Sequence, residues 1–318
     1  MEKNNVLRVV FFGTPKIAVK SLEHLNSLES IEVVAVVTQE DKPCGRGHKL
    51  ASPPIKQVAE RLGIRVFQPK SIRKEPDVMQ TLRDLQPDFF VTFAFGQILS
   101  QEVLDIPKYA TVNLHASLLP QYRGANPIQR CIYNGDKTTG ITTMLTVLQL
   151  DAGDICLCDK IEITDSMNDV ELAEIISEKS PKLLEITLLR LAAGELVPQK
   201  QDESKVTFAN KFAKQDGLVD FNKSATAIAN QVKAMYSWPN AYTFYKNKML
   251  KLMETQAIQY EGCEENGTVI SVNKEGIEVC AGKDKLLITQ VKPEGKGLMS
   301  AAAWANGSGI CKGDKLGV

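Results

Sequence analysis

Two nearly uninterrupted apolar runs near the start of the chain constrain its fold more than any other feature. Val6 to Phe12 and Ile31 to Thr38 are rich in β-branched and aromatic residues, which is typical of strands buried on both faces of a parallel sheet. Between these runs, Ala18, Leu22 and Leu25 recur at helical spacing. The strand–helix–strand order predicts an open α/β sheet covered by helices.

Further apolar segments extend this alternation through the first two-thirds of the chain. They predict helices over 54–62, 75–85, 127–133 and 169–191, and strands over 65–67, 89–93, 110–114, 140–147 and 155–163. The fold class is therefore α/β, with a Rossmann-like, mostly parallel sheet. In such sheets, ligands bind at the carboxyl ends of the strands.

A polar stretch after the last of these helices predicts a domain boundary. We expect an α/β domain over 1–192, a linker over 193–207 and a second domain over 208–318. The second domain holds five short strand-like segments separated by turn residues, which is typical of a small β-barrel.

Charge is distributed unevenly between the two parts. Residues 208–318 carry 14 lysines and 11 acidic residues, a net charge of +3, whereas the preceding residues carry 24 basic and 27 acidic side chains, a net charge of −3. An excess made of lysine alone suits contact with phosphate groups through point charges. It suits a solvated surface equally well.

Composition narrows the class of protein. The apolar fraction of 43% and the charged fraction of 24% are those of an ordinary globular chain. No apolar run approaches the roughly 20 residues of a membrane span, so we expect no membrane association.

The seven cysteines are scattered without a Cys-x-x-Cys pair, and the three histidines lie far apart. We expect no disulfide framework, no metal site and a cytoplasmic location.

Asn113 and His115 end a predicted strand and are the strongest candidates for chemistry. Because they alternate along the strand, their side chains project to the same face of the sheet. A carboxamide and an imidazole there can donate two hydrogen bonds to one point, as a developing oxyanion on a carbonyl carbon requires. A lone histidine is more often structural, so the pair carries the hypothesis.

Asp151 follows another predicted strand, within Leu150-Asp151-Ala152-Gly153-Asp154. A carboxylate beside His115 would orient the imidazole and relay protons. Taken alone, an Asp-x-Gly sequence is an ordinary turn. Only the fold can bring Asn113, His115 and Asp151 together, and we expect that it does.

Residues 39–54 are predicted to form a loop without secondary structure. The segment holds Lys42, Arg46, His48 and Lys49 among two glycines and three prolines. Long structureless loops in compact domains are usually functional or disordered, and composition leaves both interpretations open.

The motifs together resemble those of the folate-dependent formyltransferases. The signature is carried by Asn113-x-His115-x-Ser117-Leu-Leu-Pro120-x-x-Arg123-Gly124 and by Leu150-Asp151-x-Gly153. Over nearly its whole length the chain is similar to the members of that family that act on tRNA. The supporting matches are Phe12-Gly13-Thr14-Pro15, Thr38-Gln39-x-Asp41-x-Pro43-x-Gly45-Arg46-Gly47-x-Lys49-Leu50, Gly96-x-Ile98-Leu99, Lys211-x-x-Lys214 and Trp238-Pro239.

The resemblance implies an enzyme that moves the formyl group of 10-formyltetrahydrofolate onto the α-amino group of methionyl initiator tRNA, without a metal. It implies oxyanion stabilisation by Asn113 and His115, with proton relay by Asp151. Folate contacts are implied for Phe93, Phe95, Gly96, Ile98, Ser117, Leu118, Leu119 and Pro120. Contacts with tRNA are implied for Lys42, Arg46, Lys49, Lys211 and Lys214. The resemblance also implies that the second domain is an OB-like barrel that helps to hold the tRNA.

Some positions depart from the family pattern or have a simpler interpretation. Thr146-Val147-Leu148-Gln149 replaces the usual residues before Leu-Asp, which puts the path of that loop and its folate contacts in question.

From the residues alone, 93–99 is a core strand and turn. We expect a monomer without an obligate protein partner.

Three other functions fit parts of the pattern. A formyltransferase acting on a nucleotide or an amino sugar would share the three catalytic candidates but should lack the Arg46 loop and the lysine-bearing barrel. A hydrolase would discharge the formyl group to water and need no tRNA surface. A catalytically idle RNA-binding protein would not need the three side chains at all.

Overall fold

The computed structural model describes residues 6–44, 49–262 and 264–317. The chain folds as two compact units. The first comprises 1–124, 138–162 and 173–208, and the second comprises 125–137, 163–172 and 209–318. Two segments within 1–192 thus belong to the second unit, and the sequence boundaries at 192 and 207 stay a prediction.

Strands and helices alternate through the first part of the chain, and strands dominate the last. The strands are β1 (Leu7–Gly13), β2 (Ile31–Val37), β3 (Lys42–Cys44), β4 (Lys49–Ala51), β5 (Val66–Phe67), β6 (Phe89–Phe93), β7 (Ala110–His115), β8 (Arg123–Gly124), β9 (Thr138–Leu145), β10 (Ile155–Glu162), β11 (Phe208–Ala209), β12 (Ala241–Tyr245), β13 (Lys248–Ile258), β14 (Val269–Val272), β15 (Ile277–Cys280), β16 (Lys285–Pro293) and β17 (Met299–Ser300). The α-helices are α1 (Val19–Ser27), α2 (Pro54–Arg61), α3 (Pro76–Asp84), α4 (Gln101–Leu104), α5 (Pro127–Asn134), α6 (Asp169–Ala192), α7 (Ala225–Ala234) and α8 (Ala301–Ser308).

The first unit is built on a seven-stranded sheet in the order β10-β9-β7-β6-β1-β2-β5. The strands from β7 to β5 are parallel to their neighbours, and β9 and β10 join as antiparallel strands at one edge. This confirms the predicted Rossmann-like, mostly parallel sheet. The carboxyl ends of β1, β6 and β7 lie at one edge of the sheet, which is where a ligand site is expected.

Burial explains why the opening of the sequence is so apolar. Residues Val9 to Phe12 of β1 have no exposed surface, and all of β6 is buried. Ala18, Leu22 and Leu25 are also fully buried, as their helical spacing predicts. Each large apolar side chain removed from water contributes about 1.5–3 kcal/mol, so this central layer is the main source of stability in the unit.

The segment 39–54 differs from its prediction, which was a loop without secondary structure. β3 and β4 pair in antiparallel fashion, with Lys42 opposite Ala51 and Pro43 opposite Leu50. Strands of three residues are too short to leave a periodic pattern, and Pro43 argues against a strand except at an edge. Residues 45–48, with the predicted tRNA ligand Arg46, lie outside the described part of the chain.

The second unit contains an antiparallel sheet in the order β12-β13-β16-β15-β14, with β17 paired to β16. Its buried core includes Ile228 and Val232 of α7 together with Leu250, Leu252 and Ile288 of the sheet. The predicted fold class was an open, Rossmann-like sheet followed by a small, OB-like β-barrel domain. It is confirmed, since a mostly parallel sheet with helices is followed by a separate antiparallel β-sheet. None of the helices in the described ranges is both long and apolar enough to cross a lipid bilayer.

Candidate active site

Asn113 and His115 occupy the carboxyl end of β7, as predicted. Asn113 is opposite Thr92 of β6, and the Thr92 hydroxyl donates a hydrogen bond of 2.7 Å to Asn113 Oδ1. This contact fixes the amide so that Nδ2, its donor end, faces away from β6. The half-buried side chain therefore presents N–H groups at the edge where a ligand would lie.

His115 is held by a contact that the sequence did not predict. Its Nε2 lies 2.9 Å from the carbonyl oxygen of Tyr122, and the side chain is almost fully buried. A carbonyl oxygen can only accept, so Nε2 carries the hydrogen and donates it. Nδ1 is then the nitrogen left for chemistry, and it lies 3.7 Å from Asp151 Oδ2.

Asp151 approaches this pair from the turn between β9 and β10. Its Oδ2 accepts a hydrogen bond of 2.7 Å from the backbone N–H of Gly124, at the end of the signature segment. The structure thus brings Asp151 to His115 across 36 residues of chain, as the sequence hypothesis required. Asp151 adopts a φ of +49°, a left-handed conformation that is uncommon for a residue with a side chain.

The Asp151 turn is packed tightly against β9 through Gly153. A Cβ at Gly153 would lie 1.7 Å from the carbonyl oxygen of Leu145, so no side chain fits there. The N–H of Leu145 closes the loop by donating to the carbonyl oxygen of Asp154 at 2.9 Å. Gly153 is therefore required by close backbone approach, a stronger reason than the ordinary turn preference of Asp-x-Gly.

Asn113, His115 and Asp151 together can stabilise a negative charge and move a proton. Asn113 supplies N–H donors of fixed direction. His115, once protonated on Nδ1, supplies a cationic donor, and Asp151 can accept or return that proton. Donors positioned in advance at low solvent exposure are the usual means of stabilising a tetrahedral oxyanion.

The segment Ser117–Pro120 continues from β7 along the same edge of the sheet. Thr142 of β9 donates to the carbonyl oxygen of Ser117 at 2.7 Å and accepts from the N–H of Leu119 at 3.2 Å. Ser117 itself is fully buried, and its hydroxyl donates to the carbonyl oxygen of Gln121 at 2.7 Å. Leu118 and Pro120 keep part of their surface exposed, so they remain free to contact a ligand.

The other predicted folate residues divide between the core and the surface. Phe93 and Phe95 are buried, and the Phe95 ring packs edge-on against Phe12 with centroids 5.3 Å apart. The interpretation from residues alone, a core strand and turn, describes these two side chains well. Ile98 is 69% exposed, and Gly96 adopts a φ of +81°, which glycine tolerates without strain.

Lys42, Lys211 and Lys214, three of the predicted tRNA contacts, have exposed side chains. The side chain of Lys49, like Arg46, lies outside the described residues. β3 and β4 form an antiparallel hairpin, which is called the cationic hairpin below because lysines begin both strands. It is preceded by Gln39, whose Nε2 donates to the carbonyl oxygen of Phe95 at 3.0 Å. This glutamine connects the hairpin to the predicted folate segment, and nothing in its sequence position indicates that role.

Asp41 anchors the same hairpin. It accepts hydrogen bonds from Lys56 at 2.9 Å, Gln68 at 2.7 Å and Ser52 at 3.1 Å. The hydrogen bonds from Gln68 and Lys56 lower the pKa of the Asp41 carboxyl below its ordinary value. The base of the hairpin is therefore held by an ionised carboxylate at neutral pH.

Comparison with known proteins identifies the family. Residues 7–188 match the formyl transferase family, and residues 211–309 match the formyl transferase C-terminal domain. A methionyl-tRNA formyltransferase of Clostridium novyi is 42% identical over 304 residues, which are 96% of this chain and 98% of that protein. One from Citrifermentans bemidjiense is 43% identical over 311 residues, which are 98% of this chain and 96% of that protein.

Solved structures of lower identity share the fold. An N-formyltransferase from Helicobacter canadensis, in complex with folinic acid and dTDP-3-aminofucose, matches 89% of this chain and 98% of its own, with a TM-score of 0.66 and 18% identity. HypX from Aquifex aeolicus, in complex with tetrahydrofolic acid, matches 94% of this chain and 47% of its own, with a TM-score of 0.61 and 16% identity. The family matches and the 42–43% identity over nearly the whole chain establish that the chain belongs to the formyl transferase family, among the methionyl-tRNA formyltransferases.

Proposed function

We propose that this enzyme transfers the formyl group of 10-formyltetrahydrofolate to the α-amino nitrogen of methionyl initiator tRNA, using Asn113, His115 and Asp151. The observation that carries the proposal is the approach of His115 Nδ1 to Asp151 Oδ2, at 3.7 Å, beside the oriented amide of Asn113. Asn113 and His115 come from β7, and Asp151 comes from the separate turn between β9 and β10.

The reaction joins the amine nitrogen to the formyl carbon and breaks the bond from that carbon to N10 of the folate. Attack by the amine gives a tetrahedral intermediate with one negative oxygen. Asn113 Nδ2 and the protonated Nδ1 of His115 donate to this oxygen. Asp151 accepts the proton that the amine loses, and that proton is returned to N10 as the folate leaves, so charge and protons balance.

The nucleophile itself needs little activation. An α-amino group has a pKa of about 7.7–8.0, so a useful fraction is neutral near pH 7. The enzyme therefore needs oriented donors and a proton acceptor more than a strong base. The described geometry supplies both, because the His115 ring is fixed by Tyr122 and the Asp151 carboxylate by Gly124.

Exposed apolar side chains in the loop after β6 and in the Asp151 loop support folate binding. Ile98 is 69% exposed, and Leu148 and Leu150 of the Asp151 loop are 61% and 64% exposed. Apolar side chains left open beside oriented polar groups are typical of a small-molecule site. We assign these residues, with Leu118 and Pro120, to contacts with the flat pterin end of the folate. Phe93 and Phe95 support them from the core.

Recognition of tRNA is assigned to the cationic hairpin and to the lysines of the second unit. The sequence supplies Lys42, Arg46 and Lys49 between residues 42 and 49, and Lys211 and Lys214 after β11. Contacts between such cations and phosphates dominate the affinity for nucleic acids and weaken as salt rises. A folate-dependent transferase for a small amine would have no use for this hairpin. The cytoplasm is the proposed location, since Cys156, Cys158 and Cys311 carry free thiols, as is usual in a reducing compartment.

The fate of the formyl group tests the proposal. The enzyme is incubated with 10-formyltetrahydrofolate labelled in the formyl carbon, and with methionyl initiator tRNA. Label in the methionyl-tRNA, absent when uncharged tRNA is supplied, is the expected result. Label recovered only as formate would instead identify a hydrolase. Label transferred to a nucleotide-linked amino sugar but not to tRNA would identify a small-amine transferase.

A further inference from the structure

A glutamine in the polar segment after α6 contacts the turn that carries the catalytic carboxylate. Gln201 Nε2 donates to the carbonyl oxygen of Asp151 at 2.8 Å and to the carbonyl oxygen of Gly153 at 2.7 Å. These two carbonyls lie two residues apart in the turn. One side chain, separated from Asp151 by 50 residues of sequence, therefore bridges Asp151 and Gly153.

The orientation of the Gln201 amide follows from the chemistry of its neighbours. Nε and a terminal nitrogen of Arg123 both donate to Gln201 Oε1, at 3.0 and 2.9 Å. A guanidinium can only donate and a carbonyl oxygen can only accept. Oε1 must therefore face Arg123 and Nε2 must face the turn. In the reversed amide, the NH2 group would face the Arg123 donors and the oxygen would face the two carbonyl oxygens.

Arg123 is in turn a fixed support. Its side chain is 1% exposed, and its second partner is Glu203, at 2.7 Å. A buried charge of this kind must be fully paired, and it has little freedom to move. Arg123 is followed directly by Gly124, whose N–H holds the Asp151 carboxylate. The signature segment thus reaches Asp151 twice, once through the Gly124 backbone and once through Gln201.

The turn needs such support because its conformation is unfavourable. The φ of +49° at Asp151 persists in a residue with a side chain only when the surroundings enforce it. A relaxed turn would carry the carboxylate away from His115. Packing at Gly153 limits movement towards β9 but does not hold the Asp151 carbonyl, whereas Gln201 does.

We propose that Gln201 is a positioning residue, which holds the Asp151 turn so that the carboxylate faces His115 Nδ1. The inference rests on the proposed catalytic role of Asp151. Gln201 contacts neither substrate and acts through the two backbone carbonyls. Displacing a catalytic group by about 1 Å can lower a rate by about 100-fold, so the expected effect is on turnover.

Steady-state kinetics of Gln201→Leu, Gln201→Glu and the matched control Gln199→Leu test the proposal. Gln199 is exposed and undergoes the same chemical change two residues away. We expect Gln201→Leu to lower kcat by about 10- to 100-fold while KM for both substrates stays within about threefold. Gln199→Leu should behave as wild type. Unchanged kcat in Gln201→Leu would overturn the inference.

Gln201→Glu separates positioning of the turn from pairing of Arg123. A glutamate still accepts from Arg123, so the buried guanidinium stays paired and the fold is retained, but no donor remains for the two carbonyls. We expect its kcat to fall as in Gln201→Leu. If Gln201→Glu keeps wild-type turnover, the glutamine serves only to accept hydrogen bonds from Arg123 and the inference is wrong.

A double-mutant cycle with Asp151→Asn completes the test. If Gln201 acts through Asp151, Gln201→Leu costs little in the Asp151→Asn background, because the carboxylate it positions is gone. The same loss in both backgrounds would contradict the inference. Full activity of Asp151→Asn alone would instead refute the proposed catalytic role on which the inference depends.

Discussion

Replacing Gly153 by alanine is the sharpest steric test of the active-site geometry. The new Cβ would lie 1.7 Å from the Leu145 carbonyl oxygen and 2.8 Å from its carbonyl carbon. Favourable contacts between a carbon and a carbonyl oxygen begin at about 3.3 Å, so the turn and the end of β9 must separate by about 1.6 Å. Both obstacles are backbone atoms, which cannot move aside by changing rotamer.

A displacement of that size is larger than the tolerance of a catalytic group. Since about 1 Å of misplacement can cost about 100-fold, we expect Gly153→Ala to lower kcat at least 100-fold. Overpacking should also reduce the free energy of unfolding by roughly 1–3 kcal/mol. Affinity for methionyl-tRNA should stay nearly unchanged, because the turn carries none of the cations assigned to tRNA.

The assay is single-turnover formyl transfer, with thermal unfolding and tRNA binding measured on the same preparation. Gly297→Ala is the control, because a Cβ at that position meets none of the described atoms within 4 Å. A folded Gly153→Ala variant with turnover within about threefold of wild type would refute the reasoning, since the Asp151 position would then not matter for the rate.

Two further predictions concern the hairpin and the thiols. Asp41→Asn should raise KM for tRNA with little change in kcat, by loosening the base of the hairpin. In the wild type, hydrogen bonds from Gln68 and Lys56 lower the pKa of Asp41. The ionised Asp41 carboxylate therefore stabilises the fold fully at pH values above the ordinary carboxyl pKa, and this stabilisation is lost as the pH falls through the lowered pKa of Asp41. NMR titration of the Asp41 carboxyl carbon measures that pKa. An unshifted or raised pKa would contradict the prediction. Burial raises the pKa of the Cys156 thiol to about 12. Iodoacetamide at pH 8 should therefore label the exposed Cys158 and Cys311 before Cys156. Equal labelling of Cys156 would contradict its burial.

The sequence allowed the central sheet, and the position of Asn113 and His115 at the end of one of its strands, to be predicted because both leave local patterns. Buried parallel strands are continuous apolar runs, and alternation at Asn113 and His115 places both side chains on one face. A local pattern alone could not assign a role to Asp151, because an Asp-x-Gly turn is common. The resemblance to a family supplied the additional information. The structure then placed Asp151 beside His115.

Contacts made by backbone atoms or by isolated polar side chains escaped prediction. The carbonyl of Tyr122 that orients His115 is present in every residue type, so no sequence signal marks it. Gln201 lies in a polar stretch that composition identifies as a linker, and its partners are 48 and 50 residues away. The strands β3 and β4 are too short for periodicity to reveal. Propensity and periodicity report the conformation of a segment, and they do not identify the partner of a backbone carbonyl, of an isolated polar side chain or of a very short strand.

The Asn113→Asp variant tests the central claim most directly. The substitution keeps the size of the side chain and an oxygen for the Thr92 hydroxyl, but it replaces the amide donor with a negative charge where the oxyanion forms. We predict that single-turnover formyl transfer to methionyl initiator tRNA falls by about 100- to 1,000-fold. The dissociation constant for tRNA should stay within about twofold of wild type. Formyl transfer within tenfold of the wild-type rate would contradict the assignment of this edge of the sheet as the site of chemistry.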